Sequence, residues 1–199
     1  STGLSNLKEI KDTINFIKKT NPIYKKKNMI AIMQCTSMYP TEDTDVNLLV
    51  IDQFKKSFNY EIGYSHHSFG DLPLLVAYIK GANILEFHFT DTRKGKVFRD
   101  HLISLTKNEV KNLSSKFKRV KKLLGKSEKN ILSNEKKSGH IKSFRRAIYF
   151  NKEIKKGHVI SKTDLVCLRP NEGLDARKIN KILGKKSPKN FKALEKIKL

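Results

Sequence analysis

Leu7, Ile10, Ile14 and Ile17 recur three and four residues apart, so Leu4 to Lys19 is predicted as an amphipathic helix with Ser5 as its N-cap. A lysine-rich loop with Asn21 and Pro22 follows. The nearly unbroken apolar run Met29-Ile30-Ala31-Ile32-Met33 is predicted as a strand buried on both faces, ending in the polar stretch Gln34 to Pro40. The same reading gives a helix over Val46 to Phe58 and a strand over Glu61 to Tyr64 that runs into Ser65-His66-His67-Ser68. It then gives a helix over Leu72 to Lys80 with Gly81 as its C′ residue, and a strand over Asn83 to Phe89. A long helix over Thr106 to Leu124 starts at a capping box made by Thr106 and Glu109. Strands and helices alternating at this spacing imply parallel βαβ units, with the unusual polar residues at the carboxyl ends of the strands, where ligands sit in α/β folds.

Gly125 to Lys142 is polar and without period, and is read as an interdomain linker. Beyond it lie short β-like runs (Ala147 to Phe150, Val159-Ile160, Leu165 to Leu168) and one brief helical stretch near Ala176 to Leu183. These predict a small, mostly-β module.

Composition narrows the class. The 199 residues carry 42 Lys+Arg against 19 Asp+Glu, a formal charge of +23. The cations are 35 Lys and only 7 Arg, a pattern that fits the codon bias of an AT-rich genome. It argues for a solvated lysine surface over a nucleic-acid site, because Arg is the residue suited to bidentate phosphate and base contacts. No apolar run approaches the roughly 18–20 residues of a membrane span, and the first ten residues lack a secretory pattern. Cys35 and Cys167 are far apart with no CxxC spacing, which excludes a disulfide scaffold and a zinc ribbon. A reducing, cytoplasmic compartment is expected. The chain opens on the turn-like Ser1-Thr2-Gly3 without an initiator Met, as if inside a domain.

Glu86 and His88 are two apart on a predicted strand and so share a face, while Phe87 and Phe89 point to the covering helices. A carboxylate and an imidazole on the inner face of a buried strand are costly unless paired, hydrogen-bonded or metal-bound. His67 closes the preceding strand. Neighbouring strands lie about 4.8 Å apart, so His67 and His88 could share one ion; imidazole suits Mn, Fe, Co or Zn. His66 competes for the same place, since alternation turns only one of the pair inward. His101, His140 and His158 read as surface residues, and Cys35 as a core residue without a basic neighbour. Thr36, Ser37 and Tyr39 follow the first strand, where hydroxyls and free N–H groups suit an anion. Asp91, Arg93, Arg99 and Asp100 form a charged loop after the third strand.

Five blocks in series carry a resemblance: Ser1-Thr2-Gly3-Leu4; Gln34 to Thr41 (QCTSMYPT); Gly63 to His67 (GYSHH); Ile84 to Asp91 (ILEFHFTD); and a final module running from Phe144-Arg145-Arg146 through Lys155-Lys156-Gly157 to Leu168-Arg169-Pro170-Asn171-Glu172-Gly173. Together they are similar to the sialic acid synthases, the N-acetylneuraminate synthase family with its legionaminate and pseudaminate relatives. The resemblance implies the C-terminal half of a (β/α)₈ TIM barrel followed by a small mostly-β SAF (antifreeze-like, β-clip) domain. Residues 1–124 would be the partial barrel from the end of strand five, 125–142 the linker and 143–199 the SAF domain. It implies a carbon–carbon bond-forming transferase that condenses phosphoenolpyruvate with an N-acylated amino sugar such as N-acetylmannosamine.

By the same resemblance His67 and His88 hold a divalent metal, most often Mn²⁺, with Mg²⁺ or Co²⁺ as alternatives. Glu86 is the carboxylate beside it. Ser1, Ser37 and Ser65 lie near phosphoenolpyruvate, and Tyr39 and Asp100 contact the sugar. Arg169 and, on a weaker match, Phe144 act in the partner subunit's site of a homodimer. His66 departs from the pattern, since many members carry Asp there. A whole barrel takes about 250 residues, so this chain alone is expected to be inactive and poorly stable. A related nonulosonate such as legionaminate is the nearest alternative product. A non-catalytic glycan- or protein-binding remnant is the alternative from another class, and a nucleic-acid binder comes third.

Overall fold

The structure, a computed structural model, describes residues 1–26 and 29–197. Lys27 and Asn28 of the lysine-rich loop and the last two residues of the C-terminal module lie outside the described residues. The chain divides into two compact units, Ser1–Gly125 and Lys126–Leu199.

In the first unit α1 (Leu7–Thr20) precedes β1 (Ala31–Cys35), α2 (Val50–Ser57), β2 (Glu61–His66), α3 (Leu72–Ile79), β3 (Ile84–Phe87), a single turn α4 (Asp100–Ile103) and the long α5 (Lys107–Leu124). The three strands are parallel in the order β1-β2-β3, with Cys35, Ser65 and Glu86 in one register row. Gly63 lies mid-sheet because a Cβ there would come within 2.8 Å of the Ile84 carbonyl and 3.0 Å of the Met33 side chain. Ile10, Ile14, Ile32, Ile51, Phe54, Ile62, Tyr64, Leu74 and Leu113 bring the helices and one face of the sheet into a common core.

Several sequence expectations shift. The first helix starts later than expected: Asn6, not Ser5, is the N-cap, because its side chain accepts from the Lys8 and Glu9 amides while Glu9 returns to the Asn6 N–H. Leu4 stays outside the helix at φ 59° and is exposed. The first strand runs two residues further along, and Ala31 is exposed while Met33 is half-buried. It lies at a sheet edge rather than between two covered faces. The second helix begins at Val50, after a short 3₁₀ turn over Asp43–Asp45. The second strand extends to His66. The third ends at Phe87, and Phe89 forms only an isolated parallel bridge to Leu105. β3 is likewise an edge strand, so Glu86 is exposed, not interior, and Phe89 is exposed rather than covered by a helix. Gly81 follows the α3 cap residue Lys80 at φ 95°, in the C′ place expected of it.

The stretch read as a structureless linker contains two short helices, α6 (Ser133–Lys137) and α7 (His140–Phe144). Their Glu135 side chain holds the Leu132 N–H at 2.7 Å, a local capping bond that polarity alone does not announce. In the second unit β4 (Ala147–Phe150) pairs antiparallel with β5 (Leu165–Leu168), and Val159 makes only an isolated bridge to Lys186. The helical stretch is a 3₁₀ turn over Ala176–Lys181. Ile148, Phe150, Ile154, Ile160, Leu174, Ile182, Phe191 and Ile197 form this unit's own core.

Candidate active site

Period-two alternation along β2 decides between the two adjacent histidines. Tyr64 and His66 face the helices, and Ser65 and His67 face the other way. His66 is 1% exposed; its Nε2–H donates to the Gly70 carbonyl at 2.9 Å, and its Nδ1 lies 3.2 Å from the Tyr64 hydroxyl. Burial pushes this imidazole down to about 4 and the Tyr64 hydroxyl up to about 12, so both are neutral at pH 7 and act as a clasp on the loop after β2.

On the opposite face His67 and His88, each one residue beyond its strand, bring their ring centroids to 5.4 Å. Nδ1–H of His67 donates to the Thr36 carbonyl at 3.2 Å, which leaves Nε2 as the nitrogen with a free lone pair. Burial lowers the pKa of His67, keeping that lone pair available. The Cys35 sulfur lies 3.7 Å from the same Nδ1, so Cys35 does have an imidazole beside it, contrary to the sequence reading; that nitrogen is already engaged by a carbonyl. The Ser65 hydroxyl donates to Glu86 Oε1 at 2.6 Å and fixes that carboxylate across the strand pair. Tyr39 packs against both imidazoles, at 4.2 Å from His67 and 6.0 Å from His88, and Arg99 lies over its ring at 4.7 Å.

Asp100, at the start of α4, places Oδ2 3.8 Å from His88 Nδ1. Its Oδ1 is buried without a hydrogen-bond partner, with Arg99 Nε at 3.7 Å and out of reach. Ser37 is exposed and abuts the first turn of the chain: a Cβ on Gly3 would overlap the Ser37 hydroxyl at 1.9 Å. That turn is tied to β1 by the Thr2 N–H and hydroxyl, which donate to the Met33 carbonyl at 3.1 and 2.7 Å, and this carries the exposed Ser1 to the same end of the sheet.

Thus Ser37, Tyr39, Ser65, His67, Glu86, His88 and Asp100 gather at the carboxyl end of the parallel strands, with Ser1 on the turn beside Ser37. Phe144 and Arg169 belong to the second unit, where Arg169 Nε donates to the Phe144 carbonyl at 2.8 Å and the guanidinium lies 5.7 Å from the Phe144 ring centre. Thr36 is not available to an anion, because its hydroxyl donates to the Asp45 carbonyl at 2.7 Å. His101 is half-buried rather than at the surface, with Nδ1 2.9 Å from the Thr90 hydroxyl; His158 is exposed, as expected, and pairs with the buried Asp164. Sequence reasoning missed Arg99 as the cover of Tyr39, for which its place next to Asp100 was the one available signal. The Thr36 carbonyl that orients His67 has no sequence signal at all. Among the described residues no group of three or more His, Cys, Asp or Glu is arranged to hold a metal, and no helix is long and apolar enough to cross a membrane.

The chain is 34% identical over its whole length to N,N′-diacetyllegionaminic acid synthase of Campylobacter jejuni, of which it covers 58%. It is 32% identical over 96% of its length to the pseudaminic acid synthase of the same organism, of which it covers 53%. A solved structure of N-acetylneuraminic acid (sialic acid) synthetase from Leptospira borgpetersenii matches with a TM-score of 0.59 at 30% identity, over 69% of this chain and 46% of that one. The chain spans about half the length of the curated relatives it matches. The SAF domain pattern matches residues 145–198 and that of the NeuB family residues 1–129; the chain belongs to the NeuB family, as the five sequence blocks implied.

Proposed function

We propose that this chain is the C-terminal portion of a nonulosonate synthase: residues 1–124 supply half of a (β/α)₈ barrel, 125–142 connect, and 143–199 form the SAF domain. The reaction is the condensation of phosphoenolpyruvate with an N-acylated amino sugar of the N-acetylmannosamine kind. The observation that carries the reading is the imidazole pair at 5.4 Å with the Ser65–Glu86 bond beside it, at the strand ends where α/β folds bind ligands.

The donor set fits a divalent ion as an open site. Two imidazoles, one with its Nδ1–H engaged by a carbonyl, offer nitrogen ligands and leave the remaining positions to water or substrate oxygens. Mn²⁺ fits such a set, with Mg²⁺ or Co²⁺ as alternatives; bound by His67 and His88, it would supply Lewis-acid polarisation of the sugar's aldehyde oxygen.

The protein's own groups account for the rest. Tyr39, held between His67 and Arg99, forms a wall for the sugar ring. Asp100 Oδ1, buried and unpartnered, is an acceptor for a sugar hydroxyl. Ser1, Ser37 and Ser65 present hydroxyls to phosphoenolpyruvate. Carbon 3 of phosphoenolpyruvate forms the new bond to the aldehyde carbon, whose oxygen takes a proton. Water adds to carbon 2, losing its proton to a base, and the carbon–oxygen bond to phosphate then breaks to release phosphate and the keto acid. Glu86, with Oε1 fixed by Ser65 and Oε2 free of that bond, is the group in reach to carry these protons. Arg169 and Phe144 are proposed to serve the site of the partner subunit in a homodimer.

The test is a Mn²⁺ titration of the 199-residue chain followed by electron paramagnetic resonance. Saturable binding lost in His67→Ala and in His88→Ala, and kept in His66→Ala, supports the reading. Unchanged affinity in His67→Ala or His88→Ala overturns the assignment. The chain alone, with two of its three parallel strands at open edges, is proposed to be inactive; turnover of phosphoenolpyruvate and N-acetylmannosamine by it would overturn that part.

A further inference from the structure

The strand ends away from the candidate active site carry a second concentration of functional groups. A cleft of about 560 Å³ opens there, within the range of small-molecule sites. Four lysines line it: Lys11 and Lys18 from α1, and Lys25 and Lys26 from the turn that follows. Its other wall is Phe58 and Tyr60, between α2 and β2, with ring centroids 6.4 Å apart. Among the described residues, no carboxylate lines it.

The lysine content of the chain explains a few ammonium groups in any groove, and Lys18 has an obvious place in the last turn of α1, near the free helix carbonyls. Neither account covers the convergence of Lys11, Lys25 and Lys26 on the same cleft without a counter-ion. Nor does either explain why half-buried rings form the facing wall, with the Lys18 ammonium held 5.0 Å from the centre of the Tyr60 ring. Like charges gathered over a low-dielectric wall raise the local potential for an anion. The rings add a surface on which a flat heterocycle can pack.

The geometry points to a binding site for a nucleoside polyphosphate: phosphates against Lys11, Lys18, Lys25 and Lys26, base against Phe58 and Tyr60. Tyr60 immediately precedes the first residue of β2, whereas Ser65 and His67 stand at the other end of that strand. Five to seven residues at about 3.3 Å each separate the two sites by about 17–23 Å. The ligand is therefore distinct from any substrate at the carboxyl end, and the inference stands or falls independently of the synthase reading.

The full chain is titrated with ATP and with inorganic tripolyphosphate, both without divalent metal and at physiological salt. Saturable ATP binding at least about tenfold tighter than tripolyphosphate is expected, the difference being the base contact. Lys18→Gln/Lys25→Gln should weaken both ligands by about tenfold or more. Tyr60→Leu should weaken ATP by about tenfold and leave tripolyphosphate unchanged. Lys111→Gln/Lys122→Gln, which removes the same charge from the exposed face of α5, should change neither. Equal binding of the two ligands, an equal loss in the α5 variant, ATP binding untouched by Lys18→Gln/Lys25→Gln, or no saturation at all would each overturn the proposal.

Discussion

Asp100 in the first unit and Asp164 in the second are both carboxylates drawn into the protein, and the two units treat them in opposite ways. Both oxygens of Asp164 are engaged. Lys152 stands 2.7 Å from Oδ1, and Oδ2 accepts from His158 Nε2, the Ser161 N–H and the Ser161 hydroxyl, each at 2.8 Å. Asp100 turns Oδ2 towards His88 and keeps Oδ1 buried and unbonded. A buried polar group that is fully satisfied stabilises a fold; one left short of a donor is held ready for something that is not part of the chain. At these two carboxylates the second unit turns its polar chemistry inward, and the first presents it at the ends of its strands.

The largest effect that bears on this contrast is expected in the second unit. Asp164→Ala removes an acceptor shared by the Ser161 N–H, the Ser161 hydroxyl, His158 and Lys152, and should destabilise that unit by about 3 kcal/mol, the scale of hydrogen bonds to a charged group. Amide exchange at β4 and β5 should accelerate while that of α5 stays unchanged. Equal acceleration in both units would mean that the carboxylate supports more than its own module. In the first unit the matching change is His88→Ala. It should lower Mn²⁺ affinity by about 100-fold, the upper end of what disturbed metal surroundings cost, and leave the melting temperature nearly unmoved. A large loss of stability instead would class His88 with Asp164, as a fold residue.

His66 sharpens the contrast within a single strand. It is adjacent to His67 and as buried, yet its two nitrogens are engaged by Tyr64 and Gly70. His66→Ala should cost about 1.5 kcal/mol of stability and much less Mn²⁺ affinity than His88→Ala. His66→Asp should not rescue that stability, because a carboxylate cannot donate to the Gly70 carbonyl. Full rescue would show that the clasp is not what holds the loop.

The contrast also explains what could be read from the sequence. Alternation put Glu86 and His88 on one face, and the Thr106–Glu109 spacing marked the start of α5, because both are local rules with a fixed period or offset. Burial was misjudged at Glu86 and Phe89, since an interior strand and an edge strand have the same local pattern and only the sheet order separates them. Whether His66 or His67 turns inward depends on where β2 begins, which hydrophobicity places only to within a residue or two. Backbone acceptors such as the Thr36 and Gly70 carbonyls carry no side-chain signature, so the orientation of both imidazoles was hidden. The helices α6 and α7 bury nothing fully, and their residues show no apolar period to betray them.

The smallest expected effect tests whether the first unit also contains a purely internal carboxylate. Glu109 accepts from Arg93 Nη1 and Nη2 at 3.0 and 2.7 Å and from the Thr106 N–H at 2.7 Å, while the same guanidinium donates to the Ser104 carbonyl at 2.6 Å. Arg93 first, and the Thr106 amide next, hold the Glu109 carboxyl well below its ordinary 4.5, at about 2. A depressed folded-state pKa means that this contribution is complete above pH 4.5 and is lost as pH falls from 4.5 towards 2. Because the pair is more than one-third exposed, solvent screens it, and Glu109→Gln should cost less than about 1 kcal/mol at neutral pH. Its signature is the shape of the pH curve: unfolding of the first unit should lose part of its slope in that window, and wild type and variant should converge near pH 2. Asp164, whose carboxyl is likewise depressed from its ordinary 3.8 by Lys152 and the Ser161 amide, should keep the acid slope of the second unit intact in the same variant. If Glu109→Gln flattened both slopes alike, the two units would share their acid response, and the division between an inward-facing and an outward-facing polar chemistry would have to be redrawn.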